Sequence, residues 1–117
     1  MAVERTRKTA LVTGASAGLG AAFTRLFAQD HHDLVLVARR RDVLDQLGTE
    51  LQQMHGIHTT VIAADLTDPK APQHLHDALL RAGIEVDFLV NNAGFGANGS
   101  FAELELARQL DMVELNV

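Results

Sequence analysis

Thr13-Gly14-Ala15-Ser16-Ala17-Gly18-Leu19-Gly20 is the stretch that decides how this chain folds. Just before it, Thr9-Ala10-Leu11-Val12-Thr13 is a short apolar run with the length and flanks of a strand buried on both faces. Just after it, from Gly18 to Gln29, apolar Leu19, Ala22, Phe23, Leu26 and Phe27 recur at helical spacing. The glycines therefore stand where a strand turns into a helix. Glycine lets a backbone turn tightly and come close to a pyrophosphate with no Cβ in the way, while the free amides and positive dipole end of the following helix face the anion. The G-x-x-x-G-x-G spacing differs from the commoner G-x-G-x-x-G fingerprint, and no P-loop lysine is present. A glycine turn that only packs helix on strand would use the same residues, so on this motif alone both readings stand.

The strand-then-helix pattern repeats along the chain. Leu34-Val35-Leu36-Val37-Ala38 is a second strand-length apolar run, followed by Val43, Leu44, Leu47 and Leu51 at helical intervals up to Gly56. Thr59 to Ala63 is a third, β-branched run. The helix after it begins near Pro69 or Pro72 and passes Leu75, Leu79 and Leu80 to a stop at Gly83. Phe88-Leu89-Val90 is a fourth strand, and Leu104 to Val117 reads as a fourth helix with its stripe on Leu106, Leu110, Val113 and Val117. Strands alternating with helices predict an α/β fold, a doubly wound and mainly parallel sheet with helices on both faces, made of about four βα units in one domain spanning 1–117. The last helical pattern carries no stop signal, and a sheet halting at four strands leaves a Phe- and Leu-rich edge open. The sequence is thus expected to be the first part of something larger, exposing apolar surface and self-associating.

Composition narrows the chemistry. The 117 residues are 47% apolar and 21% charged, which suits a globular domain, and the net charge of −5 disfavours nucleic acid or an anionic membrane as a partner. There is no Cys, so thiolate metal sites and disulfides are excluded. The paired histidines His31-His32, His55 with His58, and His74 with His76 show no ligand spacing with a carboxylate, so no metal is expected. No signal peptide or membrane-spanning run is read, and the expected location is the cytoplasm.

Three further clusters fall at strand ends, where open α/β sheets bind ligands. At the end of the second strand stands Ala38-Arg39-Arg40-Arg41. Dinucleotide folds that bind NAD carry an acidic residue here for the ribose 2′-hydroxyl, whereas an Arg can pair bidentately with a 2′-phosphate. Arg39 first and Arg40 second therefore favour NADP(H) over NAD(H). Asp65-Leu66 follows the third strand and Asn91-Asn92-Ala93-Gly94 the fourth; each alone is also an ordinary cap or turn.

Together, the ordered motifs Thr13 to Gly20, Asp65-Leu66, Asn91 to Gly94 and Asn116 within Met112-Val113-Glu114-Leu115-Asn116-Val117 resemble the short-chain dehydrogenase/reductase family, over Lys8 to Val117. The resemblance implies a Rossmann-type sheet of order 3-2-1-4 and a nicotinamide cofactor. It implies Gly14, Ser16, Gly18, Leu19 and Gly20 against the diphosphate and adenosine ribose, Asp65 and Leu66 at the adenine, and Asn91, Ala93 and Gly94 along the ribose side. Asn116 matches the family's catalytic helix asparagine, whose backbone carbonyl anchors a water in the proton relay. The family's catalytic Ser and Tyr-x-x-x-Lys have no counterpart here. The chain contains no Tyr, Lys8 and Lys70 precede the matching region, and Ser16 and Ser100 lie in the wrong segments.

The expectation is the cofactor-binding part of an NADP(H)-dependent oxidoreductase acting on a small-molecule carbonyl or secondary alcohol. Alone it would be inactive, working as a homo-oligomer or with a complementing C-terminal part. A non-catalytic nucleotide-binding module or pseudoenzyme, and a truncated fragment without function, are the alternatives.

Overall fold

Alternate residues of each central strand go to opposite faces of one sheet, and this organises the whole molecule. The computed structural model describes residues 7–15, 18–90 and 108, together with the backbone of 91 and 113–116. Five strands, β1 (Thr9–Thr13), β2 (Asp33–Ala38), β3 (Thr59–Ala63), β4 (Phe88–Asn91) and β5 (Val113–Asn116), form an all-parallel sheet of order β3-β2-β1-β4-β5. Ala10 and Val12 of β1, Leu34 and Leu36 of β2 and Val90 of β4 join one buried cluster with Ala28, Leu44, Leu47 and Leu51. These last four come from helices α1 (Gly18–Gln29) and α2 (Arg41–His55). On the other face, Leu11, Val35, Val37 and Leu89 pack with Leu75 and Leu79 of helix α3 (Ala71–Ala82). Both faces are covered, which is why the strands read as continuous apolar runs.

The order has one reversal. Successive connections carry the chain from β1 to β2 to β3, and the β3-α3-β4 connection then returns it across the sheet to the far side of β1. The strand order of the first four is the 3-2-1-4 expected from the family resemblance. The boundary between β1 and β4 is the topological switch point, the place where such sheets open a ligand crevice at the carboxyl ends of their strands.

Helix stops follow the sequence closely at two sites. Gly56 and Gly83 both adopt left-handed backbone (φ 68° and 69°) just past α2 and α3, as C-terminal caps require. α1 ends differently: His31 takes φ 60°, its amide donating to the Ala28 carbonyl and that of His32 to the Phe27 carbonyl. His32 is half-buried, its ring 5.4 Å from Phe27 and 6.0 Å from Phe88.

The C-terminal end departs from the expected helix over Leu104 to Val117. Val113–Asn116 is a strand, paired in parallel with β4 from Phe88↔Val113 to Asn91↔Asn116. β4 is therefore an interior strand and not the open edge expected of a four-stranded sheet. Its unpaired backbone groups supply a hydrogen-bonding ladder that a local helical period cannot anticipate.

Candidate functional site

Parallel pairing in register brings the strand ends into one row. Thr13 pairs with Val37, Ala38 with Ala63 and Asn91 with Asn116, so whatever follows each strand lies along the same edge of the sheet. Gly14 follows β1, Arg39 follows β2 and Asp65 comes two residues past β3. The row is tied sideways: the Ala15 amide donates to the Val37 carbonyl at 3.4 Å, and the Ala64 amide to the Ala38 carbonyl at 3.0 Å. Thr13 opens the glycine motif but has no role assigned by the sequence; its buried hydroxyl donates to the Val90 carbonyl at 3.3 Å, stapling β1 to β4 under the switch point.

The glycine turn has the conformation its residues permit. Gly14 and Gly18 both lie in the left-handed region, at φ 61° and 60°. A Cβ added to Gly18 would meet nothing within 4 Å among the described residues. Among those residues nothing fills the space in front of the first turn of α1, and the amides there have no intrahelical partner. Gly20 is buried, and its carbonyl accepts the buried Thr24 hydroxyl at 2.7 Å. Leu19 is 63% exposed on the same turn, an apolar side chain with room to contact a ligand. Ser16 lies outside the described residues, as do Ala93 and Gly94.

The arginine cluster divides. Arg40, the residue capping α2, reaches Asp42 at 3.5 Å, and Arg41 reaches Asp45 at 3.3 Å one turn on. These two cations are offset within their own helix. Arg39 has no carboxylate within ion-pair distance among the described residues, and its charge is felt at Asp65. A 2′-phosphate placed here would meet Arg39 as the uncommitted guanidinium.

Asp65 is exposed and held in a specific pose. Its Oδ1 accepts the Thr67 hydroxyl at 2.6 Å and the Thr67 amide at 2.9 Å. These two bonds outweigh the opposing effect of desolvation and, with a lesser contribution from the Arg39 charge, keep the carboxyl below its ordinary value. Leu66 is 1% exposed and packs in the α3-side cluster, so its side chain anchors the turn and only its backbone is offered to a ligand. The backbones of Asn91 and Asn116 stand side by side at the β4 and β5 ends; Asn116 is placed on a strand, not on the helix expected for it.

One cavity among the described residues lies elsewhere. A space of about 430 Å³ opens at the opposite edge, lined by Asp33, His58, Gly83 and Glu85 among others. Its Asp33 is paired with Arg7 at 3.5 Å, and the cavity lies at the amino ends of the strands, away from the carboxyl edge where open α/β sheets bind ligands. Among the described residues no group of three or more His, Asp or Glu is placed to hold a metal ion, and no helix is long and apolar enough to cross a membrane.

Sulfoacetaldehyde reductase 2 of Chromohalobacter salexigens is 39% identical over 108 residues, 92% of this chain and 42% of that protein. The bulky-bulky ketone specific alcohol dehydrogenase from Comamonas testosteroni superposes with a TM-score of 0.77 at 32% identity, covering 91% of this chain and 49% of that one. L-sorbose reductase from Gluconobacter frateurii, solved with NADPH and L-sorbose, gives 0.80 at 29% identity, covering 90% and 46%. The chain thus spans less than half the length of each of these relatives. The sequence matches the short chain dehydrogenase family over residues 8–117, and the chain belongs to that family.

Proposed function

We propose that this chain binds NADP(H) along the carboxyl edge of its sheet and is the cofactor-binding part of an oxidoreductase acting on a small carbonyl compound or secondary alcohol. The observation that carries this reading is the row itself. An open left-handed glycine turn, an uncommitted arginine and an oriented carboxylate stand on three neighbouring strand ends. The solved NADPH complex of L-sorbose reductase, a family member of the same fold, supports it.

On this reading the dinucleotide lies along the strand ends, with the roles the family motifs assign. The free amides of α1 face the diphosphate across Gly18, with Gly14, Ser16, Leu19 and Gly20 completing the cradle. Arg39 pairs with the 2′-phosphate and Arg40 lends its charge behind it. Asp65 accepts from the adenine amine, and the Leu66 backbone lies against the ring. Asn91, Ala93 and Gly94 line the ribose side. When bound, the nicotinamide supplies the hydride. The chain's own contribution is to bind, orient and keep water from one face of that ring.

Proton transfer is a different matter. The chain has no Tyr, and a positioned general acid contributes roughly 10²–10⁴-fold. Asn116 offers a backbone carbonyl for a relay water but no titratable group. The chain alone is therefore read as binding cofactor without turning over substrate, and turnover as needing a complementing C-terminal part or a homo-oligomer that supplies the acid. Its working compartment is the cytoplasm. A pure nucleotide-binding module is the second reading, favoured by the same missing tyrosine.

Replacing Arg39 with Asp separates these elements. NADPH affinity is expected to fall roughly 10- to 100-fold, the worth of a charge-assisted hydrogen-bonding pair, with little change for NADH. Equal losses for both nucleotides would remove the 2′-phosphate role. Ketone-dependent NADPH oxidation by the unaltered chain at rates typical of the family would overturn the claim of inactivity.

A further inference from the structure

Asp65 carries two acceptor oxygens, and the described residues donate to one of them. Thr67 spends both its hydroxyl, at 2.6 Å, and its amide, at 2.9 Å, on Oδ1, while no described residue donates to Oδ2. The turn beneath is fixed as well: the Asp68 amide donates to the Asp65 carbonyl at 3.0 Å, and Leu66 is buried in the core between them. An exposed aspartate on a loop ordinarily samples several rotamers. Here two donors from one residue converge on one oxygen and restrain the carboxylate, which also feels the Arg39 charge.

We propose that Thr67 is a positioning residue that restrains the Asp65 carboxylate, and that this sets the site's preference for a 6-aminopurine over a 6-oxopurine nucleotide. The inference rests on the reading that Asp65 faces the adenine. A fixed carboxylate is an acceptor only. It takes a hydrogen bond from the exocyclic amine of adenine and opposes the carbonyl oxygen that hypoxanthine presents at the same place. A carboxylate free to rotate can turn away from that oxygen and lose the distinction. Thr67 thus acts through Asp65 and touches no nucleotide itself.

The test uses the full chain, titrated with NADPH and with its reduced hypoxanthine analogue, and reads the ratio of the two dissociation constants. Asp65→Asn, which can donate to a 6-oxo group, is expected to collapse the ratio or invert it. Thr67→Val is expected to lower the preference for NADPH roughly three- to tenfold, the worth of one hydrogen bond, and Thr67→Ser to restore it. Thr67→Ala carries the same expectation if valine disturbs the turn. The Asp65 carboxyl, followed by NMR, should titrate at higher pH in Thr67→Val and Thr67→Ala but not in Thr67→Ser. No binding by the unaltered chain, or an unchanged ratio in Asp65→Asn, overturns the placement of Asp65 and the inference with it. A collapsed ratio in Asp65→Asn beside an unchanged one in folded Thr67→Val or Thr67→Ala overturns the role of Thr67 alone. Equal losses in the serine and valine variants would also overturn it, reducing Thr67 to a structural residue.

Discussion

Substituting Gly18 with Ala separates the conformational job of a glycine from its role in leaving room for a ligand. Three described glycines share nearly the same left-handed backbone: Gly18 at φ 60°, Gly56 at 68° and Gly83 at 69°, each with nothing within 4 Å of an added Cβ among the described residues. None of the three alanine variants meets a steric clash. Each bears the left-handed strain of a residue with a Cβ, about 1–2 kcal/mol. Part of this is offset by the lower unfolded-state entropy of alanine, about 0.4–1 kcal/mol. The three should therefore lose similar stability, on the order of 1 kcal/mol each. Their effects on nucleotide binding should diverge. The methyl of Gly18→Ala enters the space before the free amides of α1, whereas Gly56 and Gly83 cap the far ends of α2 and α3. Losing one charge-assisted amide–phosphate bond, worth about 1.5–3 kcal/mol, corresponds to a roughly 10- to 100-fold weaker NADPH complex. Urea unfolding of all three variants gives the stability arm, and fluorescence titration with NADPH gives the binding arm. Equal affinities in Gly18→Ala and Gly83→Ala, at equal stability, would refute the reasoning that the space at Gly18 is where the diphosphate lies.

Two predictions concern the scaffold. A Cβ on Gly48, in the middle of α2, would lie 2.8 Å from the Thr59 hydroxyl oxygen, and Thr59 is β-branched and stiff on its strand. The helix-propensity gain of about 1 kcal/mol in Gly48→Ala is set against about 1–3 kcal/mol of overpacking. The variant should melt several degrees lower, and adding Thr59→Ala should recover the gain; a Gly48→Ala chain more stable than the parent would contradict the contact. The second prediction concerns acid. The carboxyls of Asp65 and Asp77 are held below their ordinary value of 3.8, chiefly by hydrogen bonds from Thr67 and Gln73 respectively. Below that pH the unfolded chain takes up more protons than the folded one, so the stabilisation is present above about pH 4 and is lost as pH falls through the lower folded values. The urea midpoint should drop on acidification through this range, and less steeply in Asp65→Asn; an identical acid limb in that variant would remove the Thr67 bonds from the account.

The legible and illegible parts of the chain differ in how local their causes are. β1, β2 and β4 were readable because residues such as Leu11 and Val12 are buried on opposite faces, making every position of the run apolar. Gly56 and Gly83 marked two helix ends because left-handed backbone is a property of the residue itself. The end of α1 carries no such mark, since there a histidine, His31, takes the left-handed conformation, accompanied by backbone hydrogen bonds from the His31 and His32 amides. β5 was misread for a related reason. Leu106, Leu110, Val113 and Val117 fit a helical stripe, while Val113-Glu114-Leu115-Asn116 also alternates with period two. The open side of β4, more than twenty residues away in the chain, decides between them.

In the candidate site, the motif positions fell into one row because parallel register is set by the same apolar runs that revealed the strands. What sequence alone did not separate were the roles of neighbours of like type. Arg40 and Arg41 are engaged by Asp42 and Asp45 and Arg39 is not, a distinction made by side-chain geometry at the start of α2. Thr67 went unnoticed because a threonine two residues after an aspartate is ordinary turn chemistry until its two bonds are seen to converge on one oxygen.

The most direct test of the central claim, that the carboxyl edge of the sheet binds the nucleotide, is a residue-by-residue map of amide chemical shifts while NADPH is added to the 117-residue chain. The account predicts saturable shifts concentrated at Gly14, Gly18 to Gly20, Arg39 and Asp65 to Thr67. Asp33, His58, Gly83 and Ile84 on the opposite edge should stay fixed. Shifts centred on the cavity between Asp33 and Glu85, or none at all in a folded chain, would contradict it.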